Sequence, residues 1–127
     1  MVYPMRRAFL LVAAIGLGCV PVALAAKDPV AVFYDGAFYK SGETVWQGNV
    51  FGKKTCAKGR RVFIFRVRSG KDEKLGSTKS TKSTRTKHFY PFSYSESGVA
   101  RFGEYYAKVK PTDTCKGARS AIMSGPG

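Results

Sequence analysis

The stretch from Glu104 to Lys110, Glu-Tyr-Tyr-Ala-Lys-Val-Lys, decides the fold class. In an extended chain Tyr105, Ala107 and Val109 fall on one side, and the residues between them fall on the other. Alternation of this kind is typical of a strand with one face in a core and one face in solvent. The stretch therefore predicts a strand that packs as part of a half-buried sheet.

Similar short runs lie on either side of it along the chain, and none shows a sustained helical period. Val62-Phe63-Ile64-Phe65 is apolar on both faces and predicts a central strand. Pro91 cannot donate to a ladder and predicts an edge strand. The predicted strands are Thr44–Gly52, Arg60–Arg68, Lys74–Lys79, His88–Tyr94, Glu104–Lys110 and Ala118–Met123. About seven such strands predict an all-β sandwich or small barrel, with Trp46, Val62, Ile64, Tyr105 and Val109 in its core.

The dipeptide Asp35-Gly36 separates two apolar runs, Ala31–Tyr34 and Ala37–Lys40. Asp-Gly in this setting is a strong hairpin signal, because both central residues of a type I′ turn need positive φ. We therefore predict an N-terminal hairpin over residues 27–43, a sandwich over 44–123, and a frayed end at 124–127.

The first 26 residues are typical of a secretory signal peptide. Arg6 and Arg7 precede the apolar run Ala8–Val20, and Ala23-Leu24-Ala25 gives a small-residue cleavage pattern. We expect cleavage after Ala25 or Ala26. A lipoprotein reading at Cys19 is disfavoured, because no large apolar residue stands three positions before it. The apolar run is too short for a membrane span, so no transmembrane anchor is expected.

Charge and cysteine content then narrow the class of protein. The 127-residue chain has a formal charge of +14, which falls to +12 once Arg6 and Arg7 are removed. Cys56 and Cys115 would remain, and an even pair in an exported chain predicts a disulfide. With one His and two separated Cys there is no structural zinc spacing, and no cofactor is expected.

Candidate catalytic groups are few. His88 is the only histidine, and we interpret it as a strand-end residue; a small hydrolase built on it with Glu96 or Glu104 is the disfavoured alternative. Asp72 and Glu73 are adjacent acids, which we interpret as solvated turn charges. The sequence therefore predicts a protein that is not an enzyme.

The basic residues carry the functional signal. Lysines and arginines, among them Arg60 and Arg61, are concentrated in the loop around Cys56. Others are spaced along the Ser/Thr-rich run from Ser77 to Lys87, which we expect to be a mobile loop. Such a surface suits phosphates, sulfates or carboxylates. Aromatic residues interleave with the charge at Phe63 and Phe65, and either base stacking or ordinary strand formation would explain them. The predicted polyanion contacts are Lys53, Lys54, Lys79, Lys82, Arg85 and Lys87.

Several segments together resemble a known family. They are Trp46–Val50, Cys56–Arg66, Gly70–Gly76 with Ser77-Thr78, and Gly103–Val109 followed by Cys115. The pattern resembles small exported bacterial β-sandwiches of the carboxypeptidase-regulatory-like, transthyretin-like type, over Thr44 to Met123. The resemblance implies a non-catalytic accessory or binding module. The low-complexity run from Ser77 to Lys87 departs from the family pattern, which normally has a glycine-bearing turn and an aromatic strand there.

We therefore expect a secreted, non-catalytic β-sandwich that acts at the cell envelope or outside the cell. Its expected partners are anionic polymers or the envelope surface, held by electrostatics, with a protein partner as a further option. The alternative is a secreted cationic effector that binds nucleic acid, anionic wall polymer or a membrane surface.

Overall fold

The computed structural model describes residues 26–82 and 87–125 and shows an all-β sandwich, as the sequence predicts. Eight strands and one helical turn follow in chain order. They are β1 (Val30–Lys40), β2 (Glu43–Gly52), α1 (Lys54–Ala57), β3 (Arg61–Arg66), β4 (Glu73–Lys79), β5 (Phe89–Ser97), β6 (Gly103–Val109), β7 (Ala118–Arg119) and β8 (Met123–Gly125).

The strands form two antiparallel sheets. One sheet has the order β1-β2-β5, and the other has the order β4-β3-β6-β7, with β8 pairing the first half of β6. Alternate residues of both sheets point inward and form one core. All five predicted core residues are at most 1% exposed, which confirms their assignment; they are Trp46, Val62, Ile64, Tyr105 and Val109.

Two predicted strand positions are confirmed. Strand β3 lies between β4 and β6, so the run that is apolar on both faces is central. Strand β5 is an edge strand, and its Pro91 lies opposite Asn49. Pro91 has no N–H to donate. Because no further strand of this sheet pairs with the outer side of β5, no ladder hydrogen bond is lost there.

The predicted hairpin at Asp35-Gly36 is wrong. Strand β1 runs through this dipeptide to Lys40 and pairs with β2 along its length, with a bulge between Tyr34 and Gly36. The chain turns instead at Ser41 and Gly42, whose φ angles are 53° and 83°. Two successive positive φ values are what a two-residue hairpin turn needs. At Asp35-Gly36 the chain forms a β-bulge with one extra residue, and β1 continues beyond it in the same sheet.

The C-terminal prediction also needs correction. The predicted strand Ala118–Met123 is two short strands, β7 and β8, which pair with different halves of β6. Ser124 and Gly125, predicted to fray, belong to β8 and lie opposite Glu104 and Gly103. Pro126, Gly127 and the predicted signal peptide through Ala25 lie outside the described residues.

Candidate anion-binding surfaces

One end of the sandwich, which we call the disulfide end, collects the end of β2, the start of β3, the end of β4, the start of β5 and the end of β6. Cys56 and Cys115 form the predicted disulfide there, with their Cα atoms 5.6 Å apart. An isolated bridge between Asp28 and Cys115 brings the start of the described chain to the same place. The covalent bond thus joins α1 to the loop that follows β6.

Arg60 is buried at this end, so the prediction that it belongs to the basic surface is wrong. Its Nη1 donates to the carbonyl of Cys56 (2.7 Å), and its Nη2 donates to the carbonyls of Lys110 (2.6 Å) and Lys116 (3.0 Å). Burial lowers the pKa of Arg60 from its usual value. The guanidinium satisfies three carbonyls that would otherwise lack donors, which makes it a structural residue.

The predicted polyanion residues converge around the same end. The amide of Gly52 donates to the carbonyl of His88 at 3.0 Å, which sets the neighbouring Lys53 and Lys87 beside each other in the fold. The amide of Thr81 donates to the carbonyl of Pro91 at 2.8 Å, which brings the Lys79–Lys82 segment to the edge of β5. All of the predicted lysines are exposed. The prediction of a loop over Ser77–Lys87 is wrong for its first part, because Ser77–Lys79 belong to β4, and Arg85 lies outside the described residues.

Charge is distributed unequally along the sandwich. Within residues 26–82 and 87–125, the acids at the disulfide end are Asp28 and Asp113, and Asp28 pairs with Lys53 at 3.3 Å. The exposed cations at this end are Lys27, Lys53, Lys54, Lys58, Arg61, Lys79, Lys82, Lys87, Lys110 and Lys116. Asp35 lines a cavity with Lys79 and Pro91 beside this end, and the remaining acids lie elsewhere on the sandwich. This end therefore presents a field that attracts anions.

The basic surface continues over the outer face of the five-stranded sheet. The rings of Phe65 and Tyr106 are stacked with centroids 5.2 Å apart, and the Arg119 guanidinium lies 4.2 Å from the Tyr106 centroid. Lys74 and Lys110 lie 5.0 and 4.8 Å from the Phe63 centroid. Tyr106 is predicted to face outward and does so, but these neighbours bury it to 4% exposure. With both of its faces occupied, Tyr106 offers no platform for base stacking.

The outer face of the three-stranded sheet differs, because no cation of the described residues lies over its aromatic rings. Phe33 and Phe51 are 49% and 39% exposed, and Phe89 lies against both at centroid distances of 6.0 and 4.8 Å. His88 packs edge-on to Phe51 at 6.1 Å. This aromatic patch borders the lysines of the disulfide end.

The candidate catalytic groups do not assemble within the part of the chain that is described. His88 precedes β5, while Glu96 lies near the other end of that strand, a distance of about 26 Å at the usual rise per residue. Asp72 Oδ2 accepts from the Tyr106 hydroxyl (2.6 Å), and Glu73 pairs with Arg68 (3.0 Å). In the same residues no group of three or more metal-ligating side chains occurs.

Comparison with known proteins adds no relative. No family model matches the chain, and no curated protein matches it. Among the described residues, no helix is long and apolar enough to cross a membrane.

Proposed function

We propose that this protein is an exported, non-catalytic binding module that holds anionic polymers or an anionic envelope surface at its disulfide end. The observation that carries the proposal is the convergence of Lys53, Lys54, Lys79, Lys82 and Lys87, from three separate segments, at an end with few acids. Each cation that neutralises a phosphate or sulfate releases a counterion, so binding is strong at low salt and weak at high salt.

The covered rings of the five-stranded sheet favour binding by charge alone. Tyr106 is closed on both faces, and the Phe63 ring is overlain by two lysines, so sequence-tolerant base stacking has no free ring there. A ligand meets ammonium and guanidinium groups first. On this face we therefore expect little discrimination between nucleic acid, sulfated polysaccharide and phosphate-bearing wall polymer of equal charge density, whereas the exposed Phe33 and Phe51 of the three-stranded sheet leave rings free for base stacking.

The test is a charge reversal with a matched control. The variant Lys79→Glu/Lys82→Glu changes the charge of the disulfide end by four units, and the control variant Lys40→Glu/Lys71→Glu changes the net charge by the same amount away from that end. We expect the first variant to lose at least about tenfold in affinity for heparin at low salt, and the second to lose much less. Equal losses would mean that net charge, and not this end, binds the polymer.

Export is the other part of the proposal, and it is supported by the N-terminal Arg pair, the apolar run and the cysteine pair. The protein recovered from the envelope or the medium is expected to begin at Ala26 or Lys27. Intact-mass measurement of that protein checks this. A chain that keeps its first 25 residues and stays in the cytoplasm would contradict export.

We further infer kinship with the transthyretin-like modules. The two-sheet sandwich and the position of Cys56 before the central strand support it, as does Cys115 after the strand that carries Tyr105 and Tyr106. An experimental structure of such a module with the same strand order and bridge would strengthen the inference, and a different strand order would remove it.

A further inference from the structure

The outer face of the three-stranded sheet carries exposed aromatic rings beside the lysines of the disulfide end. Phe89 packs against both Phe33 and Phe51, and the last two are exposed, so the three rings form one aromatic patch. Single apolar side chains are common on protein surfaces, whereas a contiguous group of exposed rings is typical of an interaction site. The patch is therefore a candidate binding surface.

A cavity of about 390 Å³ lies on the same face of this sheet. Gln47 and Asn49 line it and point to the same side of β2 as Phe51, because alternate residues of a strand share a face. Asn49 is paired with Phe33 on β1 and with Pro91 on β5, so the cavity adjoins the aromatic patch. The amide side chains both donate and accept hydrogen bonds. Flat apolar rings and hydrogen-bonding groups thus lie next to each other.

The cations lie around this face and not over its rings. Lys53 and Lys87 are exposed where β2 ends and β5 begins. Lys79 lines the cavity, and Lys82 follows the segment that is hydrogen bonded to the edge of β5. Among the residues that line the cavity, Asp35 is the only acid. Positive charge therefore follows two sides of the face, while the rings between them stay uncovered.

This arrangement matches the chemistry of a single nucleic-acid strand. Unpaired bases have flat faces that stack on aromatic rings, and they have polar edges that hydrogen bond to side chains. The phosphates of the same strand need cations beside the bases. A duplex keeps the base faces inside its own stack, and a sulfated polysaccharide has no planar π-face. Neither of those polymers would use the rings as a base does.

We propose that the outer face of the three-stranded sheet binds single-stranded nucleic acid, with bases stacked on Phe33 and Phe51 and phosphates on the neighbouring lysines. This binding mode rests on the proposed function, because the same lysines hold the anionic polymer in both. Asn49 and Gln47 bond base edges in the cavity, and Asp35 accepts from base N–H groups. The bases therefore add affinity that a backbone of equal charge lacks.

The test compares two strands of equal charge. One is an oligothymidylate of about ten nucleotides, and the other is an abasic oligonucleotide of the same length. Fluorescence anisotropy of the labelled strands measures their binding to the mature, disulfide-bonded protein. We expect the oligothymidylate to bind at least about tenfold more tightly, because only its bases stack. The ratio of the two affinities should stay constant as salt rises, since both strands release the same counterions.

The matched variants are Phe33→Ala on the patch and Phe102→Ala in the loop between β5 and β6. Phe102 is also exposed and lies outside the three-stranded sheet. We expect Phe33→Ala to lower the affinity for oligothymidylate at least about fivefold, with the abasic strand and heparin unaffected. Phe102→Ala should change none of the three affinities. Phe33→Tyr keeps a stacking ring and should keep the parent's affinity, while Phe33→Leu keeps only apolar bulk and should lose it.

Trp46 reports on the fold of each variant. It is the only tryptophan in the chain, and it is fully buried against Tyr94 and Tyr105. Its emission maximum should be the same in the parent and in every variant, because the replaced rings are exposed. If Phe33→Ala changes that emission, the pair Phe33→Leu and Phe33→Tyr decides whether a stacking ring is needed.

The possible failures are distinguishable. Equal affinities for oligothymidylate and the abasic strand would overturn base stacking and leave the lysine surface standing. Equal losses in Phe33→Ala and Phe102→Ala, or equal affinities in Phe33→Leu and Phe33→Tyr, would do the same. A protein that binds neither strand and does not bind heparin would overturn the proposed function together with this inference.

Discussion

The arginines at the two ends of strand β3 differ in the acceptors that surround them. Arg60, just before the strand, donates to three backbone carbonyls at the disulfide end. Arg66, the last residue of the strand, lies at the opposite end of the sandwich, the far end; its Nε has no hydrogen-bond partner among the described residues, and its Nη1 lies 3.7 Å from Glu73. One end is closed by the chain's own backbone and a covalent bond, and the other is left open. The difference shows that the structural role of a cation is set by the acceptors around it and not by its position in sequence.

The largest expected loss of stability is at the disulfide end. Cys56→Ser/Cys115→Ser removes the constraint on a loop with a sequence separation of 59 residues, and we expect a loss of about 4 kcal/mol in the free energy of unfolding. Urea unfolding of the oxidised parent and the double variant measures it. A loss below about 1 kcal/mol would show that the disulfide end is closed by its hydrogen bonds alone.

Arg60→Gln should come next. It leaves the carbonyls of Cys56, Lys110 and Lys116 without their guanidinium donors, and we expect a destabilisation of about 3 kcal/mol. The neighbouring Arg61 is exposed and bonds only Ser77 among the described side chains, so Arg61→Gln should stay within about 0.5 kcal/mol. Equal losses in the free energy of unfolding for the two variants, measured in urea, would contradict a structural role for Arg60.

Arg66→Gln tests the open end. Because Arg66 starts with an unpaired donor and a long ion pair, its replacement should cost about 1 kcal/mol, clearly less than Arg60→Gln. The same urea series gives the comparison. A cost for Arg66→Gln that equals or exceeds that of Arg60→Gln would mean that the far end is closed as firmly as the disulfide end.

The smallest effect concerns acid sensitivity near the far end. The hydrogen bond from the Tyr106 hydroxyl, followed by that from the Arg68 amide, lowers the pKa of Asp72 below its usual value. A lowered folded pKa stabilises the fold above the unfolded pKa of Asp72, and this contribution disappears as the pH falls through the folded pKa. The stability gap between the parent and Asp72→Asn should therefore close on acidification. A gap independent of pH would contradict this.

The sequence was sufficient where local pattern determines structure. The alternation of inward and outward residues predicted β6 and the burial of Tyr105 and Val109. The even number of cysteines after the signal peptide predicted the Cys56–Cys115 bridge. It failed at Asp35-Gly36, because a turn dipeptide and a bulge share the same glycine signal, and the pairing of β1 with β2 decides between them. Local pattern alone does not fix pairing between strands.

The site residues were only partly predictable for a similar reason. A run of lysines is visible in sequence, and the fold brings the described ones to one end. Arg60 could not be separated from them, because two of its carbonyl partners lie 50 and 56 residues away. The cavity at the far end left no sequence signal at all, since its lining residues come from different strands and from the β5–β6 loop.

The most direct test of the account is the salt dependence of binding by the mature, oxidised protein to DNA and to heparin. If charge at the disulfide end does the binding, log affinity falls linearly with log salt, with a slope of about −4.5 for DNA when five lysines contact phosphates. We expect a similarly steep fall for heparin. Binding of either polymer that persists unchanged at high salt would contradict a surface that works by charge alone.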